Sequence, residues 1–230
     1  MRTQPFLDRR DAGKALASGL RQYAGRDDVV VLALPRGGVP VAFEVAEALD
    51  APLEIFLVRK LGLPEHPELA MGAIASGGIR VLNDDVVRWY GVHDRVIEAV
   101  ARQEQTELER REHAYRHGRP RPELAGKVVI LVDDGLATGS SMRAAVQAVK
   151  QLKPARVIVA VPVGAPSTCE ELREIADETI CARTPEQFSA VGQWYRDFAQ
   201  TSDEEVRHLL DERAAGESAV GPRRAGADFL

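Results

Sequence analysis

Five branched apolar residues, Val128 to Val132, run straight into Asp133 and Asp134, and a small-residue stretch, Gly135 to Ser141, then opens the helical pattern MRAAVQAVKQL. A strand with no polar face must be covered on both sides, as happens in a parallel sheet between two helical layers. The pattern recurs. VVVLAL (29 to 34) precedes GVPVAFEVAEAL, a helix with Pro40 near its first position, and RVIVAVPV (156 to 163) precedes a helix predicted from about Ser167 to Ala176. LEIFLVRK (53 to 60) and ETICA (178 to 182) read as further strands, and residues 8 to 24 as a helix capped by Asp8. MGAIASGGIRVLN (71 to 83) reads as two short strands about Gly77-Gly78, and 94 to 117 as a long polar helix.

Strands alternating with helices predict an α/β fold, an open, mostly parallel twisted sheet flanked by helices. Ligands of such sheets sit beyond the carboxyl ends of the strands, so the loops after Leu34, Lys60, Val132 and Val163 are expected on one rim. No repeat of fixed period appears. One domain over residues 1–212 is expected, followed by a flexible tail, 213–230, rich in Ala, Gly, Arg and Ser.

No apolar run approaches the roughly 20 residues that span a bilayer, and MRTQPFLDRR lacks a signal core, so no membrane association and a cytoplasmic protein are expected. Cys169 and Cys181 are too far apart for a CxxC site and are expected as free thiols. A net charge of −5 gives no footprint for nucleic acid. Only five of the 30 basic residues are lysines, which makes the Arg59-Lys60 pair conspicuous.

The chemistry concentrates after Val132. The first N–H groups of the following helix lack intrahelical partners and, with the Thr138, Ser140 and Ser141 hydroxyls, suit a phosphate. Adjacent carboxylates would repel that anion unless they serve another part of the ligand, such as sugar hydroxyls or a bridging cation. A sugar phosphate meets both conditions. A P-loop nucleotidase would need GxxxxGK[ST], which is absent, and a phospho-receiver domain carries its acids after the first strand. The bland alternative is a strand end with two solvated aspartates.

VVILVDDGLATGSS resembles the phosphoribosyl pyrophosphate (PRPP) signature of type I phosphoribosyltransferases, and LPRGGVPVA, VRKLG and VDDGLATG are shared with uncharacterised bacterial phosphoribosyltransferase-like proteins. The resemblance implies that Ala137, Thr138, Gly139, Ser140 and Ser141 take the 5′-phosphate. It implies that Asp133 and Asp134 take the ribose hydroxyls and Mg2+, as catalytic and metal-binding residues. Arg36, Gly37 and Gly38 resemble the family's pyrophosphate loop, in which an unusual cis bond often occurs, and Arg59 and Lys60 its basic pyrophosphate-binding, catalytic residues. LGLPEHPELAMG (61 to 72) resembles the mobile lid, with Gly62 and Gly72 as hinges and Glu65 or His66 as candidates for proton movement on the acceptor.

The implied partners are PRPP and a small heterocyclic acceptor, selected by a small hood of about 1–25 and 183–212 beside a β-hairpin lid region. Val163, Phe188 and Trp194 are the candidate acceptor residues, because PEQFSAVGQWYRDF concentrates aromatics in a chain only 5% aromatic, and aromatic faces stack on heterocycles. Helix 94 to 117 exceeds the family core; it presents a solvated face, reaches over the site or contacts a partner in a homo-oligomer. Two functions are compatible with these features: an Mg2+-dependent phosphoribosyltransferase, or a non-catalytic PRPP or nucleotide sensor.

Overall fold

The computed structural model describes residues 4–220, with side chains to 216. Five parallel strands make the central sheet in the order β2-β1-β6-β7-β8: β1 (Val29–Ala33), β2 (Leu53–Ile55), β6 (Val128–Val132), β7 (Arg156–Val163) and β8 (Glu178–Arg183). Three further strands, β3 (Val58–Gly62), β4 (Ala70–Ala75) and β5 (Ile79–Leu82), form a separate antiparallel sheet. The helices are α1 (Arg9–Ala17), α2 (Gly38–Leu49), α3 (Asp84–Trp89), α4 (Asp94–Arg116), α5 (Ser140–Gln151), α6 (Pro166–Ile175) and α7 (Asp203–Val220).

The unbroken apolar strands have a simple cause. Val29, Val31 and Ala33 pack in one core with Val128, Ile130, Val132 and residues of α1, α2, α4 and α7. Val30 and Leu32 point the other way, into a second core with Val129, Leu131, α5, α6 and the antiparallel sheet. Every position is therefore inside, whichever face it serves. Caps agree with the sequence: Asp8 Oδ1 accepts from Asp11 N at 2.8 Å, and Gly77 and Gly78, both at positive φ, turn β4 into β5.

Four expectations change. LEIFLVRK is two strands, not one: β2 stops at Ile55, the chain turns through buried Phe56 and Leu57, and β3 enters the other sheet. Consecutive apolar residues 55 to 58 carry no periodicity that could mark such a turn, and Ser76 closes it by accepting from Leu57 N at 2.9 Å. Residues 213–220 continue α7, and Arg213 is buried, donating to Ala51 O at 3.1 Å and Asp50 Oδ1 at 3.2 Å at the end of α2. This arginine serves the negative end of a helix, which composition alone does not reveal; residues 221–230 lie outside those described. Cys169 and Cys181 are joined by a disulfide between α6 and β8, and are not free thiols. Their separation of 12 residues along the chain hid that β8 returns beneath the start of α6. Finally, Gly62 and Gly72 sit within β3 and β4, where a Cβ would come 2.6 Å from Pro67 O and 2.4 Å from Val81 O. Both are small because backbone passes close by, so neither needs to act as a hinge.

Candidate active site

Three strand ends place the site. Leu34 N donates to Val132 O at 2.9 Å, and Leu136 N donates to Val163 O at 2.9 Å, so the segments leaving β1, β6 and β7 lie side by side. Arg36-Gly37-Gly38 follows β1, and the Pro35–Arg36 peptide is cis. A Cβ on Gly37 would meet Asp134 Oδ2 at 2.0 Å, and one on Gly38 would meet Val132 O at 2.8 Å. The glycines thus bring the 36–38 backbone into direct contact with the acidic pair.

Asp133 and Asp134 emerge at the rim, half-buried. Asp133 Oδ1 accepts from Asp134 N at 2.8 Å. Burial raises the Asp133 carboxyl well above the ordinary value, and the neighbouring Asp134 charge adds to it. Burial also raises Asp134, against the opposing pull of Arg9, whose Nε lies 2.9 Å from Asp134 Oδ2. Arg9 also donates to Ala199 O at 2.7 Å and lies 3.9 Å over the Phe198 ring. Tyr195 donates its hydroxyl to Asp134 O at 2.5 Å, and burial raises its phenol strongly.

The loop after the acids ends at Gly139, which has φ of 68° and precedes an α5 N-terminus with no side-chain cap. Ala137, Thr138, Ser140 and Ser141 line this turn, and the Thr138 and Ser140 hydroxyls are 3.2 Å apart. Thr168 fastens this loop from α6 by donating to Ala137 O at 2.7 Å, and Arg143 donates to Thr138 O at 2.5 Å. Arg143 is itself held by Glu171 Oε2 at 2.6 Å, so what the turn offers an anion is the open helix N-terminus with its flanking hydroxyls.

This arrangement of strand-end acids, glycine loop and open helix coincides with a match to the phosphoribosyl transferase domain over residues 7–197. The chain belongs to the phosphoribosyltransferase family. Two relatives from Mycobacterium tuberculosis, strains CDC 1551 and H37Rv, both named "Putative phosphoribosyl transferase", are each 49% identical over 223 residues. The alignment covers 97% of this chain and 50% of each relative, so the chain spans about half the length of the curated relatives it matches. The crystal structure of TT1426 from Thermus thermophilus is similar with a TM-score of 0.81 and 44% identity, covering 91% of this chain and 99% of that one.

Within this phosphoribosyltransferase domain the remaining expected residues fall in three places. Arg36 places its guanidinium 3.4 Å from Asp203 Oδ1, at the first turn of α7. Arg59 and Lys60 lie in β3, not on the rim of the parallel sheet; Arg59 pairs with Glu104 of α4 at 2.5 Å and Lys60 with Glu68 at 3.3 Å. Glu65 and His66 are exposed on a turn closed by Leu63 N donating to Leu69 O at 3.0 Å. In the hood, the chain start and the aromatic segment pair directly, Phe6 N donating to Trp194 O and Arg196 N to Phe6 O, both at 2.8 Å. Val163 is fully buried beneath Phe6, Ala12 and Tyr195, so it supports the hood and offers no surface to an acceptor. Phe188 and Trp194 pack half-buried at the edge of that cluster, and Trp194 Nε1 is buried without a hydrogen-bond partner among the described residues.

Helix α4 proves to be more than a solvated face. Ile97, Ala101, Leu108 and Tyr115 are buried, and the helix supplies Glu104 to Arg59 and the Tyr115 hydroxyl to Asp203. Residue-by-residue reading missed Arg9, Arg143 and Tyr195 as site residues. Only Tyr195 carried a signal, its place among the clustered aromatics; the two arginines look like any others in a chain this rich in arginine.

Proposed function

We propose that this domain transfers the 5-phosphoribosyl group of PRPP to a nitrogen of a heterocyclic acceptor of the nucleobase type, releasing pyrophosphate. The observation that carries the reading is the packing of Gly37 against Asp134, which sets an amide-lined loop, two carboxylates and the open α5 N-terminus around one rim. The 5′-phosphate takes the α5 N-terminus with Thr138, Ser140 and Ser141, the ribose hydroxyls take the carboxylates, and the pyrophosphate takes the 36–38 loop. Arg59 and Lys60 approach the pyrophosphate from β3 once they leave Glu104 and Glu68.

Asp133 and Asp134 fit Mg2+ as two hard oxygen donors; no larger group of acidic, histidine or cysteine side chains gathers among the described residues, which suits a cation held mainly by substrate oxygens and water. Bound there with PRPP, Mg2+ supplies positive charge against the donor's oxygens. The C1–oxygen bond to pyrophosphate breaks as the acceptor nitrogen's lone pair forms the C1–nitrogen bond, and the acceptor's proton departs. Stabilising the charges that develop is the main task, so no nucleophilic side chain is needed. The hood aromatics Phe188 and Trp194, each half-buried, flank the acceptor with the exposed part of their rings.

The test mixes protein, Mg2+ and PRPP with a panel of purine, pyrimidine and other heterocyclic acceptors and follows pyrophosphate release and ribotide formation. Turnover with at least one acceptor is expected. Tight PRPP binding without turnover for any acceptor would favour a sensor, and failure to bind PRPP would defeat the assignment.

A further inference from the structure

Beyond the acidic pair, residues 199–203 run from Ala199, which accepts from Arg9, to Asp203 at the start of α7, which meets Arg36. An open cleft of about 410 Å3 lies along this segment, lined by Arg36, Thr201, Ser202, Asp203, Glu204 and Arg207. Its charged groups are two arginines and two acids. The acids have an explanation in the helix, since first-turn carboxylates favour the positive end of α7. The arginines are less well served.

Asp203 is the i,i+4 neighbour that would ordinarily pair with Arg207 on a helix. Its Oδ1 is instead engaged by the Tyr115 hydroxyl at 2.6 Å and, more loosely, by Arg36 at 3.4 Å. Arg207 is left half-buried, with no ion pair or hydrogen bond among the described residues. A half-buried guanidinium without a partner is unfavourable, and Arg207 opening on one cleft with Arg36, itself held only at 3.4 Å by Asp203, invites an anion with several oxygens. The strand order indicates which anion. The open N-terminus of α5 lies toward β7, where Leu136 bridges Gly164, whereas Arg36 follows β1 on the opposite side of the acidic pair and borders α7. A donor with a phosphate at each end of its sugar, seated by its 5′-phosphate at α5, directs its other end toward the cleft.

We propose that Arg207 is a further substrate-binding residue, which joins Arg36 in seating the pyrophosphate end of the donor and the pyrophosphate released. The proposal rests on the phosphoribosyltransferase reading above. Asp203 acts as an internal competitor: it occupies Arg36 in the free protein and gives way to the more highly charged phosphates. The planar fork of each arginine fits two phosphate oxygens at once, which a lysine would do less well.

Inorganic pyrophosphate, ribose 5-phosphate and PRPP would be titrated calorimetrically, in EDTA, into the wild-type chain, Arg207→Gln, Arg207→Lys and Asp203→Asn, with thermal unfolding confirming that each is folded. Arg207→Gln is expected to weaken pyrophosphate about tenfold or more, as loss of a charge-assisted hydrogen bond does, and to leave ribose 5-phosphate unchanged. Arg207→Lys should fall between, and Asp203→Asn should bind pyrophosphate more tightly than wild type. Unchanged pyrophosphate affinity in Arg207→Gln, with PRPP still bound, would overturn this inference alone; an equal loss for ribose 5-phosphate would do the same. A wild-type chain that bound neither PRPP nor pyrophosphate, both in EDTA and with Mg2+ restored, would overturn the donor assignment as well.

Discussion

Arg9 Nε and Asp134 Oδ2 lie 2.9 Å apart across 125 residues of sequence, with side chains only 11% and 16% exposed. At that burial the pair is not a surface salt bridge of negligible worth. Removing one partner of a buried pair strands a charge, at a cost of about 3 kcal/mol or more. Arg9→Gln should therefore destabilise the chain by about that amount in urea unfolding, and Asp134→Asn placed on the same background should recover part of the loss. Strictly additive effects in the four-protein cycle would show that the pair does not act as a unit.

Gly37 has φ of −60° and ψ of −32°, which any residue adopts, so its smallness serves space and not backbone freedom. A Cβ there would lie 2.0 Å from Asp134 Oδ2 and 3.3 Å from Arg9 Nε. Gly37→Ala must then push the carboxylate aside, and overpacking of this kind costs about 1–3 kcal/mol. The expected result is a lowered melting temperature together with weakened PRPP binding by calorimetry. Wild-type behaviour in both would mean that Asp134 is free to swing away and is not fixed by the loop.

The alternation of strands and helices, the hairpin at Gly77-Gly78 and the acid-loop-helix motif are all legible in the sequence, because each is a local pattern whose cause lies within ten or so residues. What sequence conceals is long-range. Nothing in LEIFLVRK shows that the chain leaves one sheet for another at Phe56, since buried strands and buried turns are equally apolar. The roles of Arg9 and Arg213 depend on which carboxylate or helix end the fold brings near, and the glycines at 62 and 72 look like hinges until the backbone crossing them is known. Val163 shows the converse: it does end β7 at the rim, but a place on the rim does not make its side chain accessible.

The disulfide between Cys169 and Cys181 joins α6 to β8 directly behind the loop expected to hold the 5′-phosphate, where a Cβ on Gly164 would lie 2.6 Å from Cys169 Sγ. Closing a loop of this length restricts the unfolded chain by about 3 kcal/mol. Cys181→Ser should lower stability by a comparable amount, read from the urea transition, with a steeper slope because the uncrosslinked denatured chain exposes more surface. Thiol labelling of the denatured wild-type chain without reductant should find no free sulfhydryl; two labelled thiols would show that the bond does not form.

Tyr115 and Asp203 tie α4 to the first turn of α7 and shift each other in opposite directions. Burial, with the hydrogen bond to Asp203, pushes the Tyr115 phenol up to about 12, and the same hydrogen bond, helped by Arg36, lowers the Asp203 carboxyl. The raised phenol contributes stability that is complete below its unfolded value of about 10 and lost as pH climbs from there toward 12. The lowered carboxyl contributes stability that is present above its unfolded value of about 4 and lost as pH falls through the lower folded one. Tyr115→Phe should consequently flatten both limbs of the stability profile and remove one late-rising component from the alkaline tyrosinate absorbance. Urea midpoints of the two proteins across acid, neutral and alkaline buffers would read the first effect, and spectrophotometric titration the second. A variant whose profile runs parallel to wild type at both ends would mean that the Tyr115–Asp203 contact carries no linked protonation.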